Sequence, residues 1–238
     1  MKPAISLTGH QLKLIAITAM LIDHIAWAFV DTQSVLGQLL HAIGRITAPT
    51  MCFFIAQGYI HTRSFPRYLG RMGIFALISH IPYVLFSVGK VTFLPFSVMY
   101  TLGLGLLAVY SYDRIKNETR RWLAVLGLAF LSIYGDWGFL GVLFCVVFYI
   151  HRDSFRDQCV SIATFTMVTT ASQIASYLGL GYTLKDALGN SLFQLGILLS
   201  LPLIYLYNGE RGGTSRSRWL FYIFYPTHLF ILGILRWM

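Results

Sequence analysis

The sequence predicts an all-α fold, a polytopic transmembrane helical bundle of about nine spans with its N-terminus in the cytoplasm. Three observations lead there. Only 11% of the 238 residues are charged, 56% are hydrophobic and the mean hydropathy is +0.66. A soluble domain carries about one quarter charged residues, so this chain cannot cover a water-facing surface. The apolar runs are long and continuous rather than short and alternating. That selects helices over a closed barrel, the two structures that satisfy their backbones in lipid. Finally, the basic residues sit in short gaps between the runs. The net charge of +9 and pI near 9.6 are therefore topological, and nucleic acid is not an expected partner.

A span needs about 20 residues, and the runs can be taken in order. The first, 12–30, contains Asp23 and His24 and is followed by no small-residue cleavage site, so no cleavable signal peptide is expected. The second, 37–60, contains Pro49, which has no N–H to give the carbonyl of Arg45, so a kink is expected. The third, 69–88, places His80 before Pro82, and the fourth is 93–112. Runs 119–134 and 137–151 are short and are separated by the turn Tyr134-Gly135-Asp136-Trp137-Gly138. The seventh is 158–179. The eighth, 188–207, has Asn190 and Gln194 one turn apart ahead of Pro202. In the ninth, 218–237, Tyr225 and His228 share a face around Pro226.

One set of connections holds Arg63, Arg67 and Arg71, then Arg114, Lys116, Arg120 and Arg121, then Arg152 and Arg156, then Arg211, Arg216 and Arg218. The opposite set holds little beyond Lys90 and Lys185. The positive-inside rule makes the first set cytoplasmic and puts the C-terminus outside. No connection is long, and the chain reads as a single transmembrane domain, 1–238. Cys52, Cys145 and Cys159 lack metal-type spacing, and no metal is expected. Cys52 and Cys145 read as small buried apolar residues. The aromatic residues read as core and interfacial belt. The sequence contains no P-loop, no Rossmann glycine pattern and no Gly-x-Ser-x-Gly.

Ionisable groups at membrane depth are expensive, so each marks a candidate site. The first span carries Lys13, Asp23 and His24. Lys13 and His24 lie on one face, about 16 Å apart along the axis. Lys13 either binds an anion or snorkels to the headgroups. Asp23 with His24 is either a structural polar pair or an acid–imidazole pair that moves protons. In the second span His41 and Arg45 share a face beside the kink. Arg45 reads equally as an anion site or as the partner of an internal salt bridge, for instance to Asp23. His80, Tyr225 and His228 are interhelical hydrogen-bonding residues or supporting residues around the site. Asp136 is a turn residue or closes an outer mouth.

Several strings resemble the TraX family. They are Gln11-Leu-Lys13-Leu-Ile-Ala-Ile ahead of Met20-Leu-Ile-Asp23-His24; Gly44-Arg45-Ile-Thr-Ala-Pro49; Gly58-Tyr59-Ile-His61-Thr62-Arg63 with Arg67-Tyr68-Leu69 and Arg71; Tyr207-Asn208-Gly209; and Phe221-Tyr222-Ile-Phe-Tyr225-Pro226-Thr-His228-Leu229. They run the length of the chain in the family's order. The first span also resembles that of membrane acyltransferases which O-acetylate surface polysaccharides. Those carry a basic residue, here Lys13, then ten residues, then a catalytic-site His, here His24.

The resemblance implies acetyl transfer from acetyl-CoA as the donor substrate, and the composition suggests a bacterial-type inner membrane. The expected acceptor is a pilin-like N-terminal amine, as in conjugation, or a cell-surface glycan hydroxyl. On this reading His24, Asp23 and Arg45 are catalytic. Lys13, Arg63, Arg67 and Arg71 meet the donor's phosphates, and His80, Tyr225 and His228 support the site. His24 either takes the acceptor's proton or carries the acetyl group itself. The alternative is a small-solute transporter or channel, because broken helices with mid-membrane polar groups also build transport sites. No inverted repeat is seen. A non-catalytic scaffold fits poorly with so many buried ionisable groups.

Overall fold

The computed structural model describes residues 6–214 and 217–237. Arg216 and the side chain of Arg218, both in the last basic connection, lie outside the described residues. Each of the nine apolar runs is helical. The helices are α1 (Gly9–Phe29), α2 (Val35–Gly44), α3 (Thr47–His61), α4 (Phe65–Val88), α5 (Val98–Arg114), α6 (Glu118–Leu131), α7 (Gly138–Ile150), α8 (Phe155–Gly179), α9 (Leu184–Gly189), α10 (Ser200–Tyr205) and α11 (Ser217–Trp237). Among the described residues no strand forms, only the isolated bridges Leu7 to Tyr207 and Phe96 to Gly135.

Five segments are long and apolar enough to cross a membrane: Gly9–Phe29, Val35–His61, Phe65–Val88, Leu184–Tyr205 and Trp219–Trp237. This is a multi-pass membrane protein whose solvent is the lipid bilayer. The runs that form α6 and α7 give helices of 14 and 13 residues, well short of those five.

The chain clusters into two compact units. The first comprises Met1–Thr50 and Ser154–Gly213. It opens with a capping box, in which Thr8 N–H donates to Gln11 Oε1 at 2.9 Å and Gln11 N–H donates to Thr8 Oγ1 at 3.4 Å. The buried residues of α1 recur as one stripe, Leu12, Ala16, Ala19, Met20, Asp23 and Ala26. Asp23 therefore sits on the inward stripe, and half-buried His24 lies just off it. Helix α1 packs on α2, α2 on a 3-10 stretch (Leu192–Leu199), and that stretch on α8.

The second predicted span is two helices. Helix α2 ends at Gly44, and α3 restarts at Thr47 with Pro49 in its first turn, where a missing N–H is tolerated. The expected kink is thus a break at Arg45 and Ile46. The eighth predicted span also differs from one continuous helix. It is α9, the 3-10 stretch and α10 in succession. A 3-10 stretch of this length is uncommon. Close approach accompanies it, because a Cβ on Gly196 would lie 2.1 Å from the backbone oxygen of Ala42.

The second unit comprises Met51–Asp153 and Thr214–Met238. In it α4 packs on α5 and α11, and α5 packs on α6 and α7. Helix α5 starts at Val98 rather than near residue 93 because Phe96 is held in a bridge. Its N–H donates to the Tyr134 carbonyl at 2.7 Å, and its own carbonyl accepts from Asp136 N–H at 2.9 Å. Cys52 and Cys145 are free and buried, and Cys52 Sγ donates to the Gly141 carbonyl at 3.3 Å.

Gly196→Ala is expected to cost about 1–3 kcal/mol, the usual range for overpacking. Thermal unfolding in detergent measures this. An unchanged midpoint would contradict the close packing of the 3-10 stretch on α2.

Candidate functional site

The stripe of α1 and the last turns of α2 build one polar cluster in the first unit. Asp23 Oδ2 accepts from Arg45 Nη2 at 2.7 Å, and its Oδ1 lies 2.7 Å from His41 Nδ1. Asp23 and His41 are buried and Arg45 is nearly so. Burying a charge is expensive unless it is paired, and here both carboxylate oxygens are paired. An ionised carboxylate is only an acceptor, so His41 Nδ1 carries a hydrogen and donates it. His41 Nε2 lies 3.5 Å from Thr32 Oγ1 in the turn between α1 and α2.

The local sequence explains the geometry. His41 and Arg45 are one turn apart and face the same way. Gly44, between them, has no side chain because Asp23 occupies the space. A Cβ there would lie 2.2 Å from the Asp23 Cβ. Aromatic rings wall the cluster. Trp27, one turn beyond Asp23, has its ring centroid 4.2 Å from that of His41. Phe193 lies 5.3 Å from the His41 ring and 5.2 Å beneath the Arg45 guanidinium.

The structure brings Asp23 and Arg45 together in the internal ion pair that the sequence allowed. His24 stands beside Asp23 within its electrostatic reach, but the carboxylate oxygens are engaged by α2. Lys13 is half-buried near the start of α1. His41, Thr32, Trp27 and Phe193 are additions to the predicted set. The one-turn spacing of His41 to Arg45 signalled the first of them.

The remaining predicted residues lie in the second unit. Arg63 is exposed between α3 and α4. Arg67 and Arg71 are one turn apart on α4, with the Arg71 guanidinium 5.6 Å from the Tyr68 ring centroid. His80 Nε2 donates to the Thr92 carbonyl at 2.9 Å. The Tyr225 hydroxyl accepts from Val98 N–H at 3.3 Å. His228 Nδ1 donates to the Phe224 carbonyl at 2.8 Å, and its ring centroid is 5.8 Å from that of Tyr225. Asp136 holds its turn, its Oδ1 accepting from Trp137 N–H at 3.0 Å and its carbonyl from the Thr101 hydroxyl at 2.6 Å. The Tyr83 and Tyr225 hydroxyls lie within its electrostatic reach. Among the described residues no His, Cys, Asp and Glu group could hold a metal ion.

Residues 8–236 match the family model described as TraX protein. The chain belongs to the TraX family. It is similar to the probable fimbrial assembly protein FimC, serogroup H1, of Dichelobacter nodosus, with 30% identity over 238 residues that cover 96% of this chain and 95% of the relative. No solved structure matches it. In this TraX protein the Asp23 cluster combines a fixed carboxylate, an oriented imidazole and a guanidinium within two consecutive helices. That set can hold a tautomer, move a proton and neutralise a developing negative charge.

Asp23→Ala is expected to lower unfolding free energy by about 3–5 kcal/mol, because it leaves a buried guanidinium uncompensated. Adding Arg45→Met should recover part of the loss. Chemical denaturation in detergent reads both values. A double variant no more stable than the sum of the single losses would contradict the pairing.

Proposed function

We propose that this TraX protein is a membrane-embedded acetyltransferase. It moves an acetyl group from cytosolic acetyl-CoA to an amine or hydroxyl acceptor at the outer side of the membrane. The observation that carries the reading is the ion-paired Asp23–His41–Arg45 cluster beside His24 on membrane helices. Packing alone rarely accounts for so many ionisable groups at that depth. Family membership supports it. The fimbrial assembly name of the relative favours a pilin-like N-terminal amine as acceptor over a surface glycan.

In this reading the chain is one acyltransferase-like domain in the bacterial inner membrane. All nine apolar runs serve as spans, with the N-terminus in the cytoplasm, as the one-sided Arg and Lys pattern indicates. The donor phosphates are assigned to Arg63, Arg67, Arg71 and Lys13. An Arg guanidinium suits phosphate by its paired N–H groups, and Lys13 contributes a point charge. His24 takes a proton from the acceptor. The Asp23–His41–Arg45 cluster holds α1 in register and supplies positive charge near the reacting carbonyl. Tyr225, His228 and His80 serve as supporting hydrogen-bonding residues.

His24→Ala, at matched expression, is expected to reduce acetyl-CoA consumption by about 10²–10⁴-fold, the range for losing a general base. The assay uses purified protein with a peptide bearing a free N-terminal amine. Undiminished turnover would remove His24 from the mechanism. A wild-type protein that does not bind acetyl-CoA would sink the acetyltransferase reading.

A further inference from the structure

Three hydrogen-bonding groups stand in series in the first unit. Asp23 Oδ1 accepts from His41 Nδ1 at 2.7 Å, and His41 Nε2 faces Thr32 Oγ1 at 3.5 Å. This is a carboxylate, an imidazole and a hydroxyl in the order that activates a hydroxyl nucleophile. The last distance exceeds the about 2.6–3.2 Å of a tight catalytic bond, and such contacts commonly tighten when substrate is present.

The surroundings make this more than a chance alignment. The Asp23–Arg45 pair would already neutralise both charges without an imidazole. His41 adds a second ring nitrogen, sealed from solvent and 3.5 Å from one hydroxyl. Trp27 and Phe193, whose ring centroids are 6.0 Å apart, both pack against the imidazole. The Thr32 backbone is fixed as well, because Gln38 Nε2 donates to the Thr32 carbonyl at 2.6 Å and to the Gly189 carbonyl at 2.6 Å. Thr32, beside that ring, is half-buried rather than sealed.

We propose that Thr32 is a nucleophile that carries the acyl group as an oxygen ester, with His41 as its base and Asp23 as the residue that positions His41. This rests on the acyl-transfer reading and adds a covalent step to it. Thr32 Oγ attacks the thioester carbonyl carbon while its proton passes to His41 Nε2. The C–S bond breaks, the departing sulfur takes that proton from His41, and free thiol leaves an ester on Thr32. His24 then takes the ammonium proton of the acceptor, giving a free amine. The amine attacks the ester carbonyl, the C–Oγ bond breaks, and the second amine proton returns to Oγ through His41. The product is an amide, Thr32 is restored, and His24 releases its proton to solvent. Exchanging a thioester for an oxygen ester and then an amide runs downhill at each step.

Full-length protein in lipid nanodiscs, incubated with radiolabelled acetyl-CoA and no acceptor, tests this. The expected result is up to one acetyl group per chain, on the peptide containing Thr32, released by alkaline hydroxylamine as oxygen esters are. Thr32→Ser should keep the label, and isosteric Thr32→Val should reduce it to background and abolish turnover with an amine-terminated peptide. Turnover that survives Thr32→Val without label overturns the ester step and leaves the acyl-transfer reading intact. A wild-type protein that neither binds nor consumes acetyl-CoA overturns both.

Discussion

An ionised carboxylate on the inward stripe of a membrane helix has to be met by donors from its neighbours, because lipid offers none. Asp23 is that group here. Its two oxygens are engaged by Arg45 and His41, each at 2.7 Å, and both partners come from the helix that follows. The arrangement fixes α1 against α2 with directional bonds in a setting where apolar packing alone gives little orientation. Gly44 is required because the Asp23 side chain occupies its Cβ position. The break after α2 leaves Arg45 at the C-cap, where its side chain still reaches the carboxylate.

The same constraint extends to the eighth apolar segment. Phe193 can lie against both His41 and Arg45 because Gly196 lets its 3-10 stretch approach the α2 backbone. The apolar walls sharpen the electrostatics of the cluster, since a hydrogen bond in a low-dielectric setting is stronger and an unpaired group there is more costly. A site built this way has its charges placed before any ligand arrives. Prearranged dipoles of that kind are what charge-developing reactions draw on.

Much of this was readable from residue type and spacing. Asp23 and Arg45 stand out as charges in apolar runs, and Pro49 forecasts the interruption beside Arg45. The one-turn spacing of His41 to Arg45 puts an imidazole on the same face. Position 32 carried no such signal, because a threonine in a polar turn is ordinary and its meeting with His41 depends on how α1 and α2 fold back on each other. Phe193 and the 3-10 geometry were equally hidden, since they follow from Gly196 meeting Ala42 across more than 150 residues of chain. Asp136 was legible as a turn former. The bridge that delays α5 to Val98 was not, because it pairs Phe96 with residues after α6.

The account turns on which nitrogen of His41 bears hydrogen. Nitrogen-15 NMR of histidine-labelled protein in lipid, assigned with a His41→Gln control, reads this directly. The carboxylate contact requires hydrogen on Nδ1, and the role of His41 as a base requires a free lone pair on Nε2. Finding hydrogen on Nε2, in the other tautomer or in an imidazolium, would contradict it.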